Sequence, residues 1–342
     1  MSPVAEKYLI VSLGSIGRRH LRNLRALKPD ARIGVLRLHT QDTSGVLPDG
    51  ADVQFSSVDA ALAFAPAAAI LAGPASTHLA IAEALVTARI PVLTEKPIAD
   101  SMDGIDELVR SARTHGVPLL VGYNLRFLPS LQTVRSLLLE GIIGEIRLVR
   151  AEVGQYLPDW RPGQPYQATV SAQQALGGGA LLELSHEIDY LYWILGLPSV
   201  VSARGGSFGA LGIDVEDAVE LTLEYESPSI LVNVHLDFLQ RTPSRTCKFI
   251  GQQGTLIWNG IADTVDVFQV STGQWSRIDI ARPADRNQMY IDELSYFLDA
   301  RYASGAIASD GEQGRDVLRI VEAAKTSIRS NAAVNLSTYV KH

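Results

Sequence analysis

A chain of 342 residues is too long for one typical hydrophobic core, so two domains are expected, and its 46% apolar content is ample for both. A net charge of -7 argues against a duplex-binding protein, which needs a basic face to neutralise phosphates, so nucleic acid is not expected as a partner. Cys247 is the single cysteine, so no intrachain disulfide can form; a reducing compartment, by default the cytoplasm, is expected.

Met1 to Tyr8 carries Glu6 and Lys7 and leads straight into a strand, which argues against a signal peptide. The most apolar stretch, Ala60 to Ala75, is interrupted by Pro66, Gly73 and Pro74 and falls short of the roughly 20 residues a spanning helix needs, so no membrane association is expected. The first third alternates short apolar runs with helical patterns. Strands are predicted at Tyr8 to Leu13, Ile33 to Leu38, Ala68 to Ala72, Pro91 to Thr94 and Pro118 to Val121. Helices are predicted at Arg18 to Leu27, Leu79 to Ala88 and from a Ser101 cap to about Thr114. Strands joined by helices predict a parallel, doubly wound Rossmann sheet with right-handed crossovers over residues 1–122.

From Tyr123 the texture changes. Glu145 to Gln155, Val200 to Arg204, Ala218 to Tyr225, Ile230 to Phe238, Cys247 to Trp258 and Val265 to Val270 are strand-like and often alternate, with turn signals such as Gly251 to Gly254 between them. Helices are expected at Pro129 to Glu140, Ala180 to Leu195, Met289 to Arg301 and Asp316 to Ser330. Residues 123–342 therefore predict an α+β domain for substrate binding and oligomerisation, with an open-faced, largely antiparallel sheet. Its exposed face is the expected subunit interface of a homo-oligomer, a dimer or tetramer.

Ser12, Leu13, Gly14, Ser15, Ile16 and Gly17 fill a G-x-G-x-x-G frame between a strand and a helix, with Ser12 in place of the first glycine. Gly14 lets backbone approach a pyrophosphate, Gly17 lets the helix pack on the sheet, and the helix N-terminus attracts the anion. In Ile33-Gly34-Val35-Leu36-Arg37-Leu38-His39 a cation stands where NAD enzymes carry a carboxylate for the ribose. Arg37 suits a 2'-phosphate, so NADP is favoured, with NAD the alternative.

Glu95, Lys96 and Pro97 follow a strand, which places Lys96 at the carboxyl edge of the sheet, where ligands of such sheets bind. A lysine there can hydrogen-bond a substrate hydroxyl and stabilise charge on its oxygen. Gly73, Pro74 and His78 belong to a second loop at the same rim and join the candidate cofactor contacts, although His78 also suits the start of the next helix. Farther on, Leu181, Leu184, Ile188, Leu191 and Leu195 form the core stripe of a helix after Gly177-Gly178-Gly179. Glu183, His186, Asp189, Tyr190 and Trp193 fall on the other side at about 100° per residue. His186 can act as general acid or base, and Asp189, three residues on, can orient its ring. Zinc is a poorer explanation, because no second histidine lies at ligand spacing.

In order, the glycine loop, Glu95-Lys96-Pro97, Gly122-Tyr123-Asn124-Leu125-Arg126-Phe127, Trp160-Arg161 and Gly177-Gly178-Gly179 through His186 to Asp189 resemble the Gfo/Idh/MocA oxidoreductase family. The resemblance implies NAD(P) use and reversible oxidation of a hydroxyl on a sugar, inositol or related polyol. It implies that Lys96, often ahead of a cis proline, is the active-site lysine and His186 the catalytic histidine. Asn124 and Arg126 would line the substrate site, and Trp160 and Arg161 would lie near the cofactor. Glu183-Leu184-Ser185-His186 is one residue shorter than the family's usual Asp-x-Gly-x-His, which leaves the role of Glu183 open. Arg241 and Arg245 are candidates for a substrate carboxylate or phosphate. Two other readings compete with a dehydrogenase: an NAD-dependent glycosidase working by transient oxidation, and a dinucleotide-sensing regulator, against which Lys96 and His186 speak.

Overall fold

In a computed structural model, residues 5–37, 47–281, 285–300 and 309–336 are described. The elements in chain order are β1 Lys7–Val11, α1 Ser15–Leu27, β2 Arg32–Leu36, β3 Val53–Phe55, α2 Val58–Ala63, β4 Ala68–Leu71, α3 His78–Thr87, β5 Val92–Glu95, α4 Ile105–His115 and β6 Leu119–Gly122. There follow α5 Pro129–Leu139, β7 Ile146–Gly154, α6 Ala180–Glu183, α7 His186–Leu195, β8 Val200–Gly206, β9 Ala218–Glu226, β10 Ser229–Asp237, β11 Ser244–Gly251 and β12 Gly254–Asn259. The chain continues with β13 Thr264–Gln269, β14 Gln274–Arg277, α8 Gln288–Ala300, α9 Gly311–Ser330 and β15 Val334–Asn335. Among the described residues no helix is long and apolar enough to cross a membrane.

Two compact units form, and neither is one continuous stretch. The first is Met1–Asn124 with Asp285–Arg315, and the second is Leu125–Ala284 with Asp316–His342. A single boundary after residue 122 therefore misplaces a C-terminal segment. Leu294, Phe297 and Leu298 of α8 share a core with Tyr8 and Ile10 of β1 and Leu21 and Leu24 of α1, so burial assigns this helix to the first unit.

The first unit holds a six-stranded sheet in the order β3, β2, β1, β4, β5, β6 with every pairing parallel, as sequence predicts. Buried on both faces, its strands read as unbroken apolar runs such as Ala68–Leu71. The expected Ser101 cap is displaced: α4 starts at Ile105 behind Gly104 (φ 77°), buries Ile105, Leu108, Val109 and Ala112, and ends at Gly116 (φ 64°). The short strand β3 lacked a readable apolar pattern. Leu38 and His39, expected to end β2, lie outside the described residues.

The second unit carries a nine-stranded sheet ordered β14, β13, β12, β11, β7, β10, β9, β8, β15. Among its described strands only β10 and β7 pair in parallel. Alternation decides its faces, since in β10 Ile230, Val232, Val234 and Leu236 are buried while Leu231 and Asn233 are exposed. The predicted helix Ala180 to Leu195 is broken at Leu184 and Ser185 into α6 and α7.

Candidate active site

Between β1 and α1 the chain turns in three residues. Ser12 takes φ 73°, a left-handed conformation natural to glycine, at a cost of about 1 kcal/mol for a residue with a Cβ. It thereby reproduces the turn of the missing first glycine, and its amide donates to the Leu36 carbonyl at 2.9 Å. A Cβ on Gly17 would stand 2.2 Å from the Ser12 carbonyl oxygen, so only glycine lets α1 approach the turn. Gly14 is the exposed residue ahead of α1, and a Cβ there would meet nothing within 4 Å. Ser15 and Ile16 open α1, whose N-terminus has no side-chain cap and no acid in its first turn. Open space before an uncapped positive helix end fits the pyrophosphate of a dinucleotide. Arg37 directly follows β2, its amide donating to the Phe55 carbonyl at 3.0 Å.

At the end of β4, Gly73 comes so near Ser12 that its Cβ would lie 3.5 Å from that of Ser12, with Pro74 next in the loop. His78 is fully buried, contrary to its place among cofactor contacts. Its Nδ1 faces the Pro97 carbonyl and its Nε2 the Gly73 carbonyl, each at 3.0 Å. A neutral ring donates to only one of them, and burial holds its pKa below the usual range against the pull of both carbonyls. The ring sits between two rim loops, with one nitrogen toward each and a bond donated to one of them.

Lys96 leaves the carboxyl end of β5, and the Lys96–Pro97 peptide is cis. The neighbouring Glu95 receives Nε2 of the buried His20 at 2.7 Å; a carboxylate can only accept, so the ring donates. Asn124 is buried and hydrogen-bonds Tyr290, over whose ring Arg19 lies at 4.3 Å. The first unit thus gathers Ser12, Gly73, His78, Glu95 and Lys96 along one sheet edge.

In the second unit, His186 is the first residue of α7 and partly buried. Asp189 does not orient it. Asp189 is buried and receives Arg126 twice, Nε at 3.0 Å and Nη2 at 2.6 Å. Burial pushes its carboxyl pKa up while the guanidinium pulls it down. Helical spacing placed Asp189 beside His186, but a two-pronged arginine 63 residues earlier in the chain takes both oxygens. Arg126, expected to line the substrate site, is therefore a core residue. Of the residues expected to face outward, Asp189 and Tyr190 are buried, with Tyr190 meeting Trp258 edge-on at 5.4 Å, while Glu183, His186 and Trp193 are partly exposed; Glu187, next to His186, is buried and receives Arg245 at 2.8 Å. Arg245 is thus committed to Glu187 rather than to a substrate anion, whereas Arg241 stacks on Tyr156 at 3.5 Å and stays exposed. Glu183 accepts from the Ser171 hydroxyl at 2.7 Å.

Trp160 and Arg161 stand with Leu157, Tyr166, Thr169 and Ser171 around a shallow surface recess. The Trp160 indole N–H donates to the Gln155 carbonyl at 3.1 Å, and its ring packs edge-on against Phe238. Sequence reasoning missed His20 and Tyr290. The signal for His20 was a histidine one helical turn after Gly17 on the side of α1 that buries Leu21 and Leu24.

A parallel sheet in this order, with a glycine turn feeding an uncapped helix, defines a dinucleotide-binding unit of the Rossmann type. Residues 7–123 match the NAD-binding Rossmann fold of the oxidoreductase family, and residues 131–257 match the GFO/IDH/MocA C-terminal domain. The chain belongs to the Gfo/Idh/MocA family of NAD(P)-dependent oxidoreductases. It is 34% identical over 142 residues to the uncharacterised oxidoreductase sll0816 of Synechocystis sp., an alignment spanning 40% of this chain and 36% of that protein. It is 24% identical over 343 residues to the uncharacterised oxidoreductase YrbE of Bacillus subtilis, covering 96% of this chain and 95% of that one. The solved structure of levoglucosan dehydrogenase in complex with NADH and L-sorbose shares the fold, with a TM-score of 0.86, 18% identity and coverage of 96% and 98%.

Proposed function

We propose that the protein catalyses reversible hydride transfer between a nicotinamide dinucleotide and a hydroxyl-bearing or carbonyl carbon of a sugar, sugar derivative or polyol. The observation that carries this reading is Lys96 at the carboxyl end of β5, in the same sheet as the glycine turn after β1, with only β4 between those strands. The bound dinucleotide supplies or accepts the hydride. The residues of the chain do the rest. Lys96 hydrogen-bonds the reacting oxygen and offsets its charge, and His186 exchanges the hydroxyl proton. Ser12 to Gly17 hold the pyrophosphate, while Trp160 and Arg161 flank the cofactor and Arg241 offers a cation to an anionic substituent of the substrate. Levoglucosan dehydrogenase, named with L-sorbose, supports a sugar-like substrate by likeness of fold.

Screening free sugars, sugar acids, inositols and nucleotide sugars for appearance of the reduced cofactor tests the reaction. Net reduction that drops roughly 10²-fold or more in both Lys96→Ala and His186→Ala is the expected result. Full activity in both variants refutes the assignment, and substrate cleavage without net reduction points to transient oxidation instead.

The finer cofactor choice rests on Arg37, whose charge at the end of β2 suits a 2'-phosphate and favours NADP. Turnover with NAD equal to or better than with NADP overturns that preference. Leu231 pairs with Leu148, which pairs with Ile250, and both leucines are 42% exposed on the open face of the nine-stranded sheet. This apolar row supports a homo-oligomer built on that face. The single buried thiol of Cys247 accords with a cytoplasmic protein.

A further inference from the structure

Lys96 stands between two residues that are each held by a buried histidine from a different helix. Before it, Glu95 accepts from His20 of α1 at 2.7 Å, and its second carboxylate oxygen lies at a long 3.4 Å from the Lys96 amide. After it, the Pro97 carbonyl faces His78 of α3 at 3.0 Å, and the opposite nitrogen of that ring faces the Gly73 carbonyl. Gly122 of β6 closes a further side of the Glu95 carboxylate, since a Cβ there would come within 3.3 Å of Oε2. Both imidazoles are essentially without solvent exposure. Nδ1 of His20 has no hydrogen-bond partner among the described residues, so the bond through Nε2 to Glu95 is the ring's one hydrogen bond there.

We propose that His20 and His78 are positioning residues, one holding the Glu95 side chain before Lys96 and the other lying against the Pro97 carbonyl after it, so that the reach of the ammonium group is set by α1 and α3. A lysine side chain has four flexible methylenes and aims reliably only from an anchored backbone. The neighbouring Glu95 carboxylate is also the nearest anion in sequence, and the bond from His20 keeps it turned toward α1 rather than onto the ammonium group. Misplacement of a reacting group by about 1 Å is enough to cost roughly 10²-fold in rate. The inference rests on the reading of Lys96 as the group that polarises the substrate oxygen.

The test uses the full chain as wild type, His20→Ala, His20→Gln, His20→Asn and His78→Leu, with Lys96→Ala alongside. Gln keeps a donor near the position of Nε2, whereas Asn shortens its reach. In the dinucleotide-free protein, hydrogen exchange over residues 92–100 is expected to quicken about tenfold in His20→Ala, His20→Asn and His78→Leu but not in His20→Gln. With cofactor, kcat is expected to fall roughly 10- to 100-fold in the same three variants. Dinucleotide Kd, read by fluorescence, should stay within about threefold, and His20→Gln should recover most of the rate. The Asn and Gln pair keeps the comparison intact if His20→Ala does not fold. Wild-type exchange and kcat in all variants overturn the proposal, as does a Gln variant no better than Asn with exchange raised throughout the first unit. If Lys96→Ala retains full turnover, the reading of the reaction fails, while the exchange data still decide whether the histidines hold the segment.

Discussion

Asp189 and Arg126 are buried together and meet through two bonds, so each makes the other tolerable in the core. Arg126→Met strands a carboxylate whose pKa burial already pushes up, and a loss of about 3–5 kcal/mol is expected from urea unfolding. A double variant with Asp189→Leu should recover much of it, because the cost lies in the unpaired charge. His235 gives a prediction with a definite sign. Hydrogen bonding to Asp237, opposed by burial and aided by Glu220, raises its pKa from 6.5 to about 9. The folded state then binds the proton more tightly than the unfolded chain. The resulting stabilisation is complete below about pH 6.5 and is lost as pH rises through about 9. The Tm advantage of wild type over His235→Asn should therefore shrink from about pH 6 to pH 9.5, and a pH-independent difference would speak against the charged ring. At this scale residue types were legible but partners were not. Helical spacing pairs His186 with Asp189 but has no means of showing that Arg126 arrives from a distant segment.

In α1 the limiting quantity is space. Gly17→Ala sets a methyl against the Ser12 carbonyl, and overpacking of this kind costs about 1–3 kcal/mol while prising the helix away from the turn. Weaker dinucleotide binding together with a lower Tm is expected, measured by titration and thermal melting; unchanged affinity would detach the turn from cofactor binding. Elements with a strong period were readable, including the parallel strands of the first unit and the alternating β9 and β10. The break between α6 and α7 was not, because Leu184 and Ile188 maintain a helical apolar spacing across it. Nor was β3, three partly buried residues that become a strand only by lying beside β2.

Across the whole molecule, the open sheet face gives the assembly prediction. Leu231→Glu places a charge in the row it shares with Leu148 and Ile250, and light scattering should show a dimer or tetramer falling toward monomer. A monomeric wild type would end that reading. The two-unit architecture was legible from the change of texture near Tyr123, but the membership of α8 was not, because an apolar stripe shows that a helix must bury itself and not which core will receive it.

That membership has a consequence for biosynthesis. The ribosome releases all six strands of the first sheet long before it reaches Leu294, Phe297 and Leu298, which fill part of the space around Tyr8 and Leu24. Until then residues 1–124 are expected to lack the apolar side chains that complete their core. A polypeptide ending at residue 124 should stay in that incomplete condition, binding a hydrophobic dye and melting without cooperativity, whereas adding the α8 peptide in trans should restore a sharp transition.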